Sequence, residues 1–161
     1  MENFIPQKDL YYLNICRSIS LASKDPSTKV GALIVDKDGR FVGAGYNGFP
    51  KGVKDLPERY NNRETKYKFV EHAEKNAIYF STKQDLSQCT MYSYPLSPCN
   101  ECAKAIIQSG IKTVISALDM SRSNQEIFEI AKQMFLEANV NCPVYPLHQV
   151  KKEFDNVFGM M

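Results

Sequence analysis

His72-Ala73-Glu74 and, further along, Pro98-Cys99-Asn100-Glu101-Cys102 hold the residue types of a metal site. One imidazole and two thiolates suit zinc, which binds neutral imidazole or thiolate at about 2.0–2.3 Å. A structural zinc site normally takes a fourth Cys or His. Three ligands instead leave a position for water, whose pKa the metal lowers to about 7. Glu74 is placed to move protons for whatever binds there. It stays outside the ligand set, because a coordinated carboxylate could not shuttle protons. Each motif alone is weak, since a lone Cys-x-x-Cys is often a redox pair and His-x-Glu recurs by chance. His148 and Cys142 are the distant residues that could close a structural site instead.

The spacing constrains the elements that carry these groups. Cys99 and Cys102 are three apart and share one face of a helix. Ser97-Pro98 reads as its N-cap and first position, which puts Cys99 in the first turn, where the helix dipole favours a thiolate. His72 and Glu74 are two apart and would point in opposite directions in mid-helix. Both serve one site only if the metal lies beyond the helix N-terminus. The zinc is therefore expected between the N-terminal ends of two helices, starting near residues 71 and 99. Cys16 and Cys89 fall on a helix and a strand, where buried inert thiols are the expectation.

Around this site the chain reads as helix, hairpin, helix, strand, helix, strand, helix, strand. Residues 8–23 carry an imperfect helical stripe that ends at Asp25-Pro26-Ser27. Residues 30–35 and 41–46 are strands joined through Asp36-Lys37-Asp38-Gly39. Gly43, Gly45 and Gly48 suggest a bulge or a close backbone approach. Residues 47–68 read as a long polar loop, a length that is usually functional or mobile. Helices follow at 71–81, 99–109 and 121–139, and strands at 89–94, 112–118 and 141–146. Late strands alternating with helices imply parallel pairing, and the hairpin adds an antiparallel pair. The predicted fold is α/β: a three-layer αβα sandwich around a mixed five-stranded sheet. Residues 1–161 are read as one zinc-dependent domain, with 147–161 as a C-terminal tail.

Bulk properties exclude several classes. The chain has 161 residues, 43% hydrophobic and 24% charged, in the range of a globular protein. A net charge of +2 is too small for a generic nucleic-acid or membrane binder. No run approaches the roughly 18 apolar residues of a membrane span. Residues 1–10 lack a basic segment followed by an apolar core. Five cysteines, two of them in Cys-x-x-Cys, point to metal use rather than a disulfide framework. The expected location is the cytoplasm.

The pattern His-x-Glu…Pro-Cys-x-x-Cys is a recognised signature of zinc nucleobase deaminases. Other segments extend the match: Asp25-Pro26 before Val30-Gly31-Ala32, Gly45-Tyr46-Asn47-Gly48-Phe49-Pro50, Thr65-Lys66-Tyr67, His72 to Ile78, Pro98 to Lys104, Ile106-Ile107 and Gly110-Ile111. With these the chain resembles the cytidine and deoxycytidylate deaminases, most closely the deoxycytidylate branch. The resemblance implies a cytidine deaminase-like fold and hydrolysis of dCMP to dUMP and ammonia. Some relatives hold a second, structural zinc through Cys or His before the His-x-Glu, and residues 48–71 contain neither, so one zinc per chain is expected. Asn47 would hydrogen-bond the sugar or base edge, although Asn-Gly also suits a plain turn. The Ala73 backbone would read the pyrimidine edge, and the Ser97 backbone would meet the exocyclic amine. Gly45 and Gly48 read as turn formers. A 5′-phosphate needs cations. Residues 51–68 carry six cations against three acids, while Lys29 and Arg122 are the phosphate candidates outside that segment. Arg122 is expected to open a helix, where anions are welcome.

The resemblance also implies a homo-oligomer and a nucleoside triphosphate effector, with no membrane or nucleic-acid partner. Two alternatives stand beside it. One is deamination of another base or nucleoside (cytidine, guanine or tRNA adenosine). The other is a catalytically silent nucleotide-binding regulator on the same scaffold.

Overall fold

The computed structural model describes residues 3–159. Its centre is one five-stranded sheet in the order β2-β1-β3-β4-β5. The strands are β1 Gly31–Val35, β2 Phe41–Tyr46, β3 Thr90–Tyr94, β4 Thr113–Leu118 and β5 Val144–Pro146. β1 runs antiparallel to both β2 and β3, whereas β3–β4 and β4–β5 are parallel. This is the predicted mixed sheet.

Strand alternation sorts the core into two layers. Ala32, Ile34, Met91 and Val114 pack into one cluster, Leu33, Val35, Tyr92 and Ile115 into the other. The second cluster is covered by α1 (Gln7–Ser20) and α7 (Leu147–Phe158). The first is covered by α4 (Ala73–Tyr79), α5 (Asn100–Gln108) and α6 (Glu126–Glu137). The three-layer αβα sandwich therefore stands.

Three segments differ from the sequence reading. Residues 47–68 are not a structureless loop: they hold α2 (Pro57–Asn61) and α3 (Arg63–Phe69). Pro57 starts α2, and Asn62 caps α3 by accepting from the Thr65 N–H at 2.9 Å. Helices this short carry no full apolar period, so their patterning is silent. Residues 121–139 do not begin as an α-helix. Asp119 accepts from the Ser121 N–H and holds a 3-10 turn over Met120–Arg122, and α6 starts only at Glu126. Residues 147–158 form α7 rather than an irregular tail, with Val150 and Phe154 fully buried. Met160 and Met161, the end of that segment, lie outside the described residues.

Gly43 and Gly45 explain how α4 reaches the sheet. A Cβ on Gly45 would lie 2.4 Å from the Ala77 nitrogen and 2.5 Å from the Ala73 oxygen, and one on Gly43 would lie 2.4 Å from the Ala77 oxygen. These glycines let the α4 backbone lie directly on β2. Gly45 is a packing position, not a turn former, and a Cβ at Gly48 would meet nothing within 4 Å.

Candidate active site

His72 is the N-cap of α4 and Cys99 is the N-cap of α5. The expected meeting of two helix N-termini is present. One detail differs: the α5 cap is Cys99 itself rather than Ser97, so Cys99 stands just before the first turn and Cys102 sits in it. An N-cap residue has extended backbone and aims its side chain across the helix end. That solves the His72–Glu74 spacing problem, because His72 is outside the helix and Glu74 is in its first turn.

The three predicted ligands converge. His72 Nδ1 lies 3.4 Å from Cys99 Sγ and 3.3 Å from Cys102 Sγ, and the three ligand atoms fall within 4.8 Å of one another. Tetrahedral zinc with nitrogen and sulfur ligands separates them by roughly 3.5–3.8 Å. The donor set and its spacing fit zinc through Nδ1 of His72. Among the described residues this is the one His/Cys/Asp/Glu cluster with metal-binding spacing. His148 and Cys142 take no part in it.

The electrostatics follow from crowding. Contact with the Cys102 thiol, and then with His72, pulls the Cys99 thiol down to about 4. Contact with Cys99, then burial and the charge of Glu74, push Cys102 up. Contact with Cys99 raises His72 above the ordinary imidazole range. Protons on His72 and Cys102 would compete with a metal ion for these ligand atoms.

Glu74 is buried, 4% exposed, and burial raises its carboxyl above the ordinary range. The Ser93 hydroxyl lies 2.9 Å from its Oε1. Oε2 faces the ligand cluster and accepts from the Cys102 thiol at 3.5 Å. The carboxyl thus reaches the metal side with one oxygen only.

Several residues that hold this arrangement escaped the sequence reading. Glu71 Oε1 accepts the His72 N–H at 3.1 Å, and Oε2 accepts from Tyr79 at 3.2 Å. The Glu71 backbone exchanges hydrogen bonds with Gly48 at 2.8 and 3.1 Å, tying the ligand histidine to the Asn47-Gly48 turn. Ser97 and Ser116 share a 2.7 Å hydroxyl bond, which pins the segment before Cys99 to β4. Ser93 and Ser116 are fully buried hydroxyls in otherwise apolar strands, and that mismatch was the available signal.

The remaining candidates divide. Ala73 is the first residue of α4, where a backbone N–H has no intrahelical partner. Asn47 is beside the site but already engaged. Its Oδ1 accepts the Val30 N–H at 2.8 Å, and its amide donates to the Thr28 carbonyl at 2.9 Å and Asp25 at 3.4 Å. Its φ is not positive, so it is not the left-handed turn residue that Asn-Gly suggests. Asp25 also pairs with Lys66 at 3.2 Å, both being nearly buried. Ser97 and Pro98 border a cavity of about 310 Å³ between β4 and α6, lined by Leu118, Met120, Phe128 and Phe135.

Lys29 donates to the Ser23 carbonyl. Arg122 closes the 3-10 turn instead of opening α6, and its guanidinium lies 5.8 Å from the Phe128 ring centroid. Other basic side chains are also occupied: Lys24 with Asp55 at 2.9 Å, Arg59 against Phe69 and Lys51 against Phe80. Within residues 51–68, Lys68 lies 3.5 Å from Glu64, while Lys66 is held by Asp25 from outside the segment.

Residues 6–118 match the model of the cytidine and deoxycytidylate deaminase zinc-binding region. Deoxycytidylate deaminase of Mus musculus is 46% identical over 121 residues, covering 72% of this chain and 67% of that protein. Deoxycytidylate deaminase of Pongo abelii is 46% identical over 143 residues, covering 82% and 80%. Among solved structures, dCMP deaminase from the cyanophage S-TIM5, crystallised with dCMP and dUMP, superposes with a TM-score of 0.69 at 26% identity. That match covers 88% of this chain and 99% of the cyanophage chain. Sequence motif, helix-end geometry and family model coincide on the same residues, so the chain belongs to the cytidine and deoxycytidylate deaminase family and its cofactor is zinc.

Proposed function

We propose that the protein hydrolyses dCMP to dUMP and ammonia. The observation that carries this reading is the His72–Cys99–Cys102 triangle with Glu74 Oε2 turned toward it. The named activity of the relatives above supports the choice of nucleotide.

In this reading His72, Cys99 and Cys102 hold the ion. When bound, zinc supplies the Lewis acidity that makes water nucleophilic near neutral pH. Glu74 Oε2 takes the proton from the attacking water and delivers it to the ring nitrogen beside the amine-bearing carbon. It then carries the proton of the hydroxyl newly bound to that carbon to the departing amine, so that the exocyclic C–N bond breaks, a carbonyl forms and ammonia leaves. Burial suits Glu74 to this work, because it raises the carboxyl and so strengthens its hold on the proton it carries. The Ala73 N–H and the Ser97 backbone orient the pyrimidine.

Asn47 shapes the sugar side, and its hydrogen bonds to Val30 and Thr28 make that a rigid wall. Lys29 and Arg122 remain the proposed phosphate contacts, each by releasing its present partner.

The same reading takes residues 1–161 as one deaminase domain in the cytoplasm. Five unpaired cysteines support a reducing compartment. Self-association is supported by exposed Phe41, Tyr46, Tyr79 and Phe80 along the free edge of β2 and the end of α4. The triphosphate effector rests on the family resemblance alone.

Ammonia release from dCMP, CMP, cytidine, dCTP and guanine tests the substrate. Turnover of dCMP well above the others is expected. Activity on cytidine with none on dCMP would sink the nucleotide assignment.

A further inference from the structure

Ser93 is fully buried in β3 and stands between Ala32 and Ser116 in the sheet register. This row faces the α4–α5 layer, directly beneath the two helix N-termini. The Ser93 hydroxyl lies 2.9 Å from Glu74 Oε1 and 2.8 Å from the Leu96 carbonyl oxygen. A hydroxyl carries one proton, so it donates to Oε1 when Glu74 is ionised, and it can donate to the Leu96 carbonyl while accepting from Oε1 when the carboxyl is protonated there. On one side of the hydroxyl is the carboxyl opposite the metal ligands. On the other is the chain that continues through Ser97 and Pro98 to Cys99.

We infer that Ser93 is a positioning residue for the proton shuttle: its hydroxyl holds Oε1 so that Oε2 alone meets the reacting groups. This rests on the role proposed for Glu74. A glutamate side chain has three rotatable bonds, and the first turn of α4 does not fix them. Nothing apolar at position 93 could hold Oε1, and an unpaired buried oxygen is driven to seek another partner. The Cys102 thiol, 3.5 Å from Oε2, offers such a partner. Losing Ser93 would therefore let the carboxyl turn toward the ligands it must not bind. Ser93 itself is sealed from the substrate side, so its effect passes entirely through Glu74 and the Leu96 segment.

The test is steady-state deamination of dCMP by zinc-loaded Ser93→Ala and Ser93→Thr, with metal content measured on the same samples. Ser93→Ala should lower kcat roughly 10- to 100-fold, the worth of one hydrogen bond to a charged group. KM should stay within about two-fold and zinc at one per chain, because neither substrate binding nor the ligand set is touched. Ser93→Thr, which keeps the hydroxyl, should recover part of the loss. If Ser93→Ala does not accumulate as folded protein, Ser93→Cys keeps the volume with a weaker donor and should show a partial fall in kcat. Unchanged kcat in Ser93→Ala, or in the cysteine variant where that one is used, would overturn the inference. So would a rise in KM without a fall in kcat, or zinc loss that accounts for the whole effect. Glu74→Gln separates the two levels of argument. If it retains turnover, the shuttle reading itself fails. If it is inactive while Ser93→Ala turns over normally, only the role of Ser93 fails.

Discussion

Glu74 and His72 are two residues apart, yet the proposed reaction gives them opposite parts: one would carry protons and the other would hold the ion. Their backbone positions make that possible, since His72 is the extended cap and Glu74 is helical. Both were legible from the spacing of the motif. Their supports, Ser93 and Glu71, were not, because a serine in an apolar strand and a glutamate before a histidine carry no pattern of their own. They act through contacts made 19 residues away, from Ser93 to Glu74, and across the Gly48–Glu71 pairing. Replacing Glu74 by Gln should leave zinc content and nucleotide affinity near wild type, because an amide fits the same space. Turnover should fall by about three orders of magnitude or more, since an amide cannot exchange the proton. Metal analysis with single-turnover kinetics checks this. An active Glu74→Gln protein would remove the shuttle.

At the scale of elements, α4 and β2 meet backbone to backbone. Gly43 and Gly45 read from sequence as a bulge or a close approach, and the close approach is what is found. The register irregularity lies instead at Ile34/Val35 in the β1–β2 pair. Gly45→Ala would press a methyl group onto the Ala73 oxygen and Ala77 nitrogen, two atoms of an intact helix that cannot rotate away. The expected cost is about 1–3 kcal/mol of stability. Zinc affinity should fall with it, because Ala73 follows the ligand His72. Chemical denaturation and zinc titration of the variant would measure both, and unaltered values would mean that α4 can slide without disturbing the site. Most long elements were legible, since a strand or a three-turn helix repeats its apolar pattern; α7 was the exception, read as a tail although Val150 and Phe154 are four apart on its buried face. α2, α3 and the 3-10 turn at Met120–Arg122 were not, since each is held by a local cap, a proline or an aromatic stack such as Phe49 on Tyr60 at 4.2 Å.

Across the whole molecule, zinc ties two helices from separate parts of the chain into one end of the sandwich. Its binding should therefore report on folding. In the proposed site zinc would bind neutral His72 and the thiolates of Cys99 and Cys102, and His72 and Cys102 are both raised, so protons would compete with the ion. The sign is that affinity falls as pH falls. Stripping zinc with a chelator near pH 7.5 should lower the melting temperature by roughly 5–10 °C. Near pH 5.5 the same treatment should change it far less, and an equal shift at both would exclude proton competition at the ligands. The ligand types, the reaction class they imply, and the need for two helix N-termini were determined by the sequence alone, because zinc coordination and helix geometry admit few solutions at those spacings. Only the tertiary structure decided which histidine nitrogen faces the thiols, which oxygen of Glu74 is free, and that Lys24, Lys66 and Arg122 are engaged elsewhere. Such choices depend on which side chains the fold brings together from distant positions, and charge in a sequence does not reveal its partner.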